Sequence, residues 1–142
     1  MHPALRSTAP LVFLALAACS RKGPEARVQA AFERCCAAVE AGDAAGASEP
    51  LDEGFRGPDG MDRATARLFL AGLLRRQHVG LTVIRNRIRR DGPDLVQEVD
   101  LVLTGRGGGL PPEETSRRSF LLRWRERGGD WRLVEVQTPE GL

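Results

Sequence analysis

The first half of the chain carries apolar residues at intervals of three and four, the spacing that places them on one face of an α-helix. This pattern predicts a helix over residues 25–41 and a short second helix over residues 43–47, which Asp43 can cap. A third helix over residues 62–77 is expected to be heavily buried, because its apolar face is wide. Three helices therefore come first in the chain.

Proline and glycine interrupt the helical pattern between the second and third predicted helices. The stretch SEPLDEGFRGPDGM, residues 48–61, is rich in both, and both favour turns over regular structure. We therefore expect a loop here, with a tight bend around Phe55.

After His78 the apolar period changes to two, the period of a β-strand with one buried face. Four long strands are expected, joined by the turn RDGPD, a glycine-rich loop and the turn RGGD. The alternation slips near Val83, which predicts a β-bulge. The sequence thus predicts an α+β fold, in which three N-terminal helices pack on a strongly curved antiparallel sheet of about four long strands.

The length and charge of the chain restrict its class. It has 142 residues, 42% of them hydrophobic, which suits one ordinary domain with one core. Its 21 basic and 19 acidic residues nearly cancel, so it lacks the excess positive charge of a dedicated nucleic-acid binder. No nucleic-acid partner is expected.

An apolar run over residues 9–18 precedes Cys19. The run is about ten residues long, whereas a membrane-spanning helix needs roughly 20. Arg6 precedes it and no acidic residue comes before Cys19, which is the pattern of a secretory signal peptide. Its end, the sequence LAAC at residues 16–19, resembles the lipobox of bacterial lipoproteins.

The resemblance to a lipobox implies how the chain is processed and where it resides. Residues 1–18 would be removed as a signal peptide, and Cys19 would be the lipidation site. Residues 19–24 would form a short lipidated tether ahead of a domain over residues 25–142. Ser20 replaces the aspartate that retains many lipoproteins at the inner membrane, which implies the periplasmic side of the outer membrane. The membrane would be a partner through this anchor.

Two stretches of the expected domain resemble the nuclear transport factor 2-like superfamily, which includes SnoaL-like proteins and ketosteroid isomerases. They are FRGPDGMDR, which leads into the third helix, and FLLRWRERGGDWRLVEV, a tryptophan-containing hairpin. The resemblance implies a cystatin-like cone, in which the helices and a concave sheet enclose an apolar cavity. Phe32, Phe55, Val99 and Leu101 are the expected lining of that cavity.

Acid–base catalysis in an apolar cavity of this kind needs a carboxylate with a tyrosine, a histidine or a second acid. The chain has no tyrosine, and its candidates are Asp52 and His78. Asp52 also suits a loop, and His78 also suits capping of the third helix. No spacing typical of a metal site occurs, and no cofactor is expected.

Charged residues alternate with the apolar row of the predicted strands. Glu98 and Asp100 are therefore expected on the solvated face of the sheet, where Arg123 and Arg125 would pair with them. The arginine-rich stretch RNRIRR, residues 85–90, has two interpretations: a solvated edge strand or a contact for anionic lipid headgroups.

Cys35 and Cys36 also have two interpretations. A disulfide between neighbours in a helix would distort the backbone, so they are expected not to bond to each other. They are either small apolar core residues or, through the more exposed one, the site of an intermolecular bridge. A homodimer is accordingly one of the open expectations.

Together these patterns favour a lipid-anchored periplasmic protein that acts as a non-enzymatic binding or accessory module through its apolar cavity. Its partner would be an unknown envelope protein or a small apolar ligand. The alternative is a small-molecule isomerase or dehydratase of the SnoaL-like class, which the shortage of polar cavity residues disfavours.

Overall fold

The computed structural model describes residues 23–106 and 115–139, so the predicted signal peptide and Cys19 lie outside the described residues. The described chain is built from three helices, five strands and one short 3₁₀ turn. The helices are α1 (Pro24–Glu40), α2 (Ala44–Ser48) and α3 (Arg63–Arg76), and the 3₁₀ turn is Pro58–Gly60. The strands are β1 (Leu51–Arg56), β2 (His78–Asp91), β3 (Asp94–Arg106), β4 (Thr115–Arg127) and β5 (Asp130–Gln137).

Aspartate side chains begin the second and third helices, as predicted. Asp43 accepts a hydrogen bond from the Gly46 backbone N–H at 3.0 Å, and Asp62 accepts one from the Thr65 N–H at 2.8 Å. The bond from Thr65 lowers the pKa of Asp62, because it stabilises the ionised carboxylate. A Cβ at position 46 would displace the capping carboxylate of Asp43, so Gly46 leaves room for the cap.

The five strands form one sheet in the order β1-β5-β4-β3-β2. β2, β3, β4 and β5 pair antiparallel with their neighbours and are the four long strands that the alternation predicts. β1 pairs parallel to β5, with Leu51 opposite Leu133, and the Leu133 N–H donates to the Pro50 carbonyl at 2.8 Å. The predicted α+β fold class is confirmed, with one short strand added.

The prediction of a loop throughout residues 48–61 is wrong at β1. Leu51 and Phe55 point into the core and are 5% and 4% exposed. β1 has only six residues between Pro50 and Gly57. In so short a strand the alternation of apolar and polar residues is a weaker signal than the neighbouring proline and glycine, which favour a loop. The turn that the glycines and prolines predict comes after the strand, at Pro58–Gly60.

The predicted β-bulge lies in β2, between Val83 and Arg85. Before the bulge Val83 pairs with Leu101, and after it Asn86 pairs with Val99, so both pairs lie on the concave face. Successive side chains of a regular strand alternate between faces, so without a bulge Arg85, two residues after Val83, would share its face and point toward the helices. The bulge therefore sends Arg85, Arg87 and Arg89 to the convex face, whereas Arg90, opposite Leu95, lies in the concave row.

The convex face carries a ladder of ion pairs. Asp94 is 3% exposed and accepts hydrogen bonds from Arg125 Nε at 2.8 Å and from Arg123 Nη1 at 3.2 Å. The bond from Arg125 is the largest of the effects that lower the pKa of Asp94. The predicted partners are thus wrong in register: Arg125 lies opposite Asp94, and not opposite Glu98 or Asp100.

Glu98 and Asp100 pair with other arginines on the same solvated face. Glu98 lies 3.7 Å from Arg85 and 3.9 Å from Arg89. Asp100 accepts from Arg117 at 3.0 Å, and Ser119 Oγ donates to it at 2.7 Å. The acids of β3 are therefore all engaged on the side of the sheet that faces away from the helices.

The core lies between α1 and the concave face of the sheet. Its most deeply buried apolar members are Val28, Leu95, Val99 and Trp124, none more than 1% exposed. Helix α3 contributes much less to the core than predicted, because Leu68 is 75% exposed and only Ala66 is buried. The wide apolar face of α3 lines an open space instead of a packed interior.

A chain of hydrogen bonds joins the centre of the sheet to α1. Trp124 Nε1 donates to Gln97 Oε1 at 3.0 Å, and Gln97 Nε2 donates to Asn86 Oδ1 at 3.0 Å. Asn86 Nδ2 then donates to Gln29 Oε1 on α1 at 2.6 Å. Gln97 is 0% exposed, so these bonds satisfy an amide that water does not reach.

We predict that Gln97→Leu destabilises the protein by about 1 to 3 kcal/mol, because it leaves the Trp124 N–H buried without an acceptor. Urea denaturation measures the change in the free energy of unfolding. Gln29→Leu breaks the same chain of bonds at its exposed end and should have a smaller effect. A Gln97→Leu variant as stable as the wild type would show that these bonds do not hold the fold.

Candidate functional site

A cavity of about 940 Å³ lies between α1, α3 and the concave face of the sheet, and it opens to solvent. Its wall is mainly apolar, with contributions from both helices, from β1 and from the inner rows of the long strands. Representative wall residues are Phe32, Val39, Leu51, Phe55, Leu73 and Leu122. Volumes in this range are typical of small-molecule sites.

The structure brings together all four residues that the sequence places in a cavity. Phe32 comes from α1, Phe55 from β1, and Val99 and Leu101 from β3, and each lines the cavity. All four are buried, at 1% to 7% exposure. Their contact with a ligand stays a prediction.

Two free thiols, Cys35 and Cys36, also line the cavity. Cys35 Sγ donates to the Ala47 carbonyl at 3.2 Å, and burial raises the pKa of Cys35 to about 11. The pKa of Cys36 is raised to about 12, by burial first and then by the nearby charges of Cys35 and Glu40. Both thiols are therefore protonated and uncharged near neutral pH, which makes them weak nucleophiles.

Neither sequence-derived catalytic candidate lies in the cavity wall. Asp52 Oδ1 is 3.4 Å from Arg127 Nε, and Asp52 Oδ2 accepts from the Gly54 N–H at 3.1 Å, so its carboxylate is held at β1 by structural contacts. His78 is exposed and is already the first residue of β2, where it pairs with Arg106. The two candidates are not part of the described cavity lining.

The charged residues of the described cavity lining are Asp59, Arg117 and Arg118, and all three are exposed. Asp59 belongs to the 3₁₀ turn and has a left-handed backbone, with φ of 58°. The patterns in the sequence do not indicate that these residues belong to a site. The sequence does contain an indication for Arg118. This residue continues the alternating row of Phe120 and Leu122, which predicts that it lies on the same face of the sheet.

Within residues 23–106 and 115–139, the structure brings together no group of three or more histidine, cysteine, aspartate or glutamate side chains able to hold a metal ion. Over the same residues, each helix is too short or too polar to span a bilayer.

Solved structures match the cone architecture, although no protein-family model and no curated protein sequence matches this chain. An uncharacterised protein with a cystatin-like fold from Caulobacter vibrioides is 14% identical; the match covers 80% of this chain and 87% of that one, with a TM-score of 0.69. A nuclear transport factor 2-like protein of unknown function from Pseudomonas putida KT2440 is 12% identical, with coverages of 80% and 84% and a TM-score of 0.68. The chain has the nuclear transport factor 2-like fold.

One further match with this fold carries a proposed activity in its name. It is a candidate scytalone dehydratase from Novosphingobium aromaticivorans, 9% identical, with coverages of 80% and 83% and a TM-score of 0.69. Identities this low show the fold alone, and the nuclear transport factor 2-like fold by itself assigns no chemistry.

We predict that Cys35 and Cys36 in the native protein react slowly with iodoacetamide at pH 8 and faster as the pH approaches 11. The raised pKa values keep the thiolate fraction low until then. Peptide mapping by mass spectrometry separates this pair from Cys19. The urea-unfolded chain, in which the thiols regain ordinary pKa values, is the control, and equal rates in both states at pH 8 would contradict the prediction.

Proposed function

We propose that this chain is a non-enzymatic binding protein whose cone cavity holds a small apolar molecule. The observation that carries the proposal is the wall itself: apart from three exposed charged residues and the hydroxyl residues Ser119 and Thr138, the described lining consists of apolar side chains and two protonated thiols. Such a wall binds a ligand by removing its apolar surface from water. The favourable free energy is roughly 25 cal/mol for each Å² of apolar surface that is buried.

The competing function is that of an isomerase or dehydratase, which the fold match to the candidate scytalone dehydratase favours. Proton transfer in an apolar pocket needs a carboxylate or imidazole inside the pocket, at hydrogen-bond distance from the substrate. Here Asp52 is paired with Arg127, His78 is exposed, and the lining carboxylate of Asp59 lies on an exposed turn. The side chains therefore favour binding over catalysis.

We also propose that the protein is a lipoprotein of the periplasmic side of the outer membrane, anchored through Cys19. The lipobox-like sequence LAAC and Ser20 support this proposal. Helix α1 begins at Pro24, so a tether of about five residues spans under about 20 Å. The cavity would then work close to lipid headgroups, either for a small ligand or in an accessory role beside another envelope protein.

The cavity prediction is tested by a pair of neighbours on α3. Phe69 lines the cavity, whereas Leu68 is 75% exposed and is not part of the lining. We expect Phe69→Asp to weaken binding of the neutral dye Nile red at least tenfold, because it introduces a charge into the apolar wall. Nile red fluorescence titration with the full chain is the measurement.

Leu68→Asp is the matched control, and it should bind the dye as the wild type does. Asp52→Asn and His78→Ala should also leave dye binding and complementation of a deletion strain intact. Equal loss in Phe69→Asp and Leu68→Asp would contradict a cavity site. Failure of a folded Asp52→Asn or His78→Ala variant to complement would favour the enzyme instead.

The anchor is tested separately. We expect Cys19→Ala to abolish incorporation of labelled palmitate and to leave the precursor unprocessed or release the domain from membranes. Cys36→Ala keeps the lipobox-like sequence and is the control, which should be labelled normally. Palmitate labelling with membrane fractionation gives the result, and undiminished labelling of Cys19→Ala would exclude this lipidation site.

A further inference from the structure

Charge in the described cavity is confined to its mouth. Below the mouth the wall is apolar, and burial keeps the Cys35 and Cys36 thiols protonated. The charged residues of the described lining, Arg117, Arg118 and Asp59, are exposed and lie at the mouth. A ligand that fills the cavity thus meets apolar surface along its body and fixed charges only at its outer end.

The two arginines of the mouth differ in the face of the sheet that they occupy. Arg117 pairs with Val102, and its guanidinium contacts Asp100 on the convex face at 3.0 Å. Arg118 pairs with Leu101, which lines the cavity, and residues directly opposite each other in antiparallel strands share a face. Of the two, Arg118 is therefore the one on the concave side, and among the described residues it forms no ion pair.

We propose that the cavity binds a carboxylate-bearing amphiphile, with its apolar body in the cone and its carboxylate on Arg118. This inference rests on the proposed binding function and names the ligand class for the same site. A guanidinium presents two parallel N–H donors that match the two oxygens of a carboxylate. The alkyl or ring body of the ligand would cover the apolar wall that solvent now reaches.

The other charges at the mouth favour a singly charged head. Among the described residues of the mouth, Arg117 is engaged by Asp100, which leaves one available cation, Arg118, and one acid, Asp59. Within the described residues Asp59 is not within ion-pair distance of Arg118, so a carboxylate can occupy the guanidinium without displacing it. A doubly charged head would meet stronger repulsion from Asp59.

The test compares two probes of equal chain length and different charge, dodecanoate and dodecanol. Each displaces Nile red from the full chain, produced without export so that Cys19 stays unacylated, at concentrations below micelle formation. We expect Arg118→Gln to raise the half-displacing concentration of dodecanoate about tenfold, the loss typical of a hydrogen bond to a charged group. Dodecanol should displace the dye equally well from both proteins.

Two further variants fix the sign and the specificity of the effect. Asp59→Asn removes the repelling acid and should lower the half-displacing concentration of dodecanoate but not of dodecanol. Arg87→Gln removes an exposed arginine after the bulge, opposite Glu98 on the convex face, and should change neither value. This control separates a local contact from a general effect of net charge.

The outcomes distinguish the two proposals. If Nile red and dodecanol bind but Arg118→Gln leaves dodecanoate unaffected, or weakens both probes equally, the carboxylate contact is wrong and the apolar binding site stands. If the wild type binds neither the dye nor dodecanol, the proposed binding function fails, and the ligand class fails with it.

Discussion

The hydrogen bond from Trp124 Nε1 to Gln97 Oε1 fixes where the cone is closed and where it is open. Trp124, Gln97 and Leu95 are at most 1% exposed and form the packed end beneath the first turns of α1. Val99, two residues after Gln97, is the first residue of β3 that lines the cavity. Because a buried amide must keep its partners, the bonds from Gln97 through Asn86 to α1 hold that helix over the packed end, and its later turns extend over the cavity.

The cavity of about 940 Å³ is open to solvent and is far larger than the voids that packing leaves inside proteins. Protein interiors are packed as densely as organic crystals, with few voids larger than a water molecule. Helix α3 would gain stability by settling onto the sheet, yet Phe69 stays 53% exposed at the side of an apolar space. The structure thus leaves apolar side chains exposed that it could bury. This agrees with the proposed binding function, since binding sites commonly lower the stability of their fold.

The sequence predicts those parts of the fold that local chemistry determines. Asp43 and Asp62 identify two helix starts, and the shift of alternation near Val83 identifies the bulge. The features that the sequence does not predict depend on tertiary context. Strand β1 is too short to show a clear alternation of apolar residues, and the exposure of α3 depends on how far that helix lies from the sheet. Gln97 and Arg118 are similar cases, since each is a polar residue in an apolar row, and only the partner or the position in the cone gives it a role.

The bulge in β2 and the register of β3 with β4 separate the charges of the sheet by face. Asp94, Glu98 and Asp100 all lie on the convex side, where arginines neutralise them. Within the part of the chain that the structure describes, the charged residues that line the cavity are then those at its mouth. An apolar wall screens charge less than water does, so a guanidinium beside that wall would act more strongly on the proposed carboxylate ligand than the solvated arginines of the convex face. Selectivity would then depend on the charge of the ligand head, while the wall would accept many apolar bodies of suitable size.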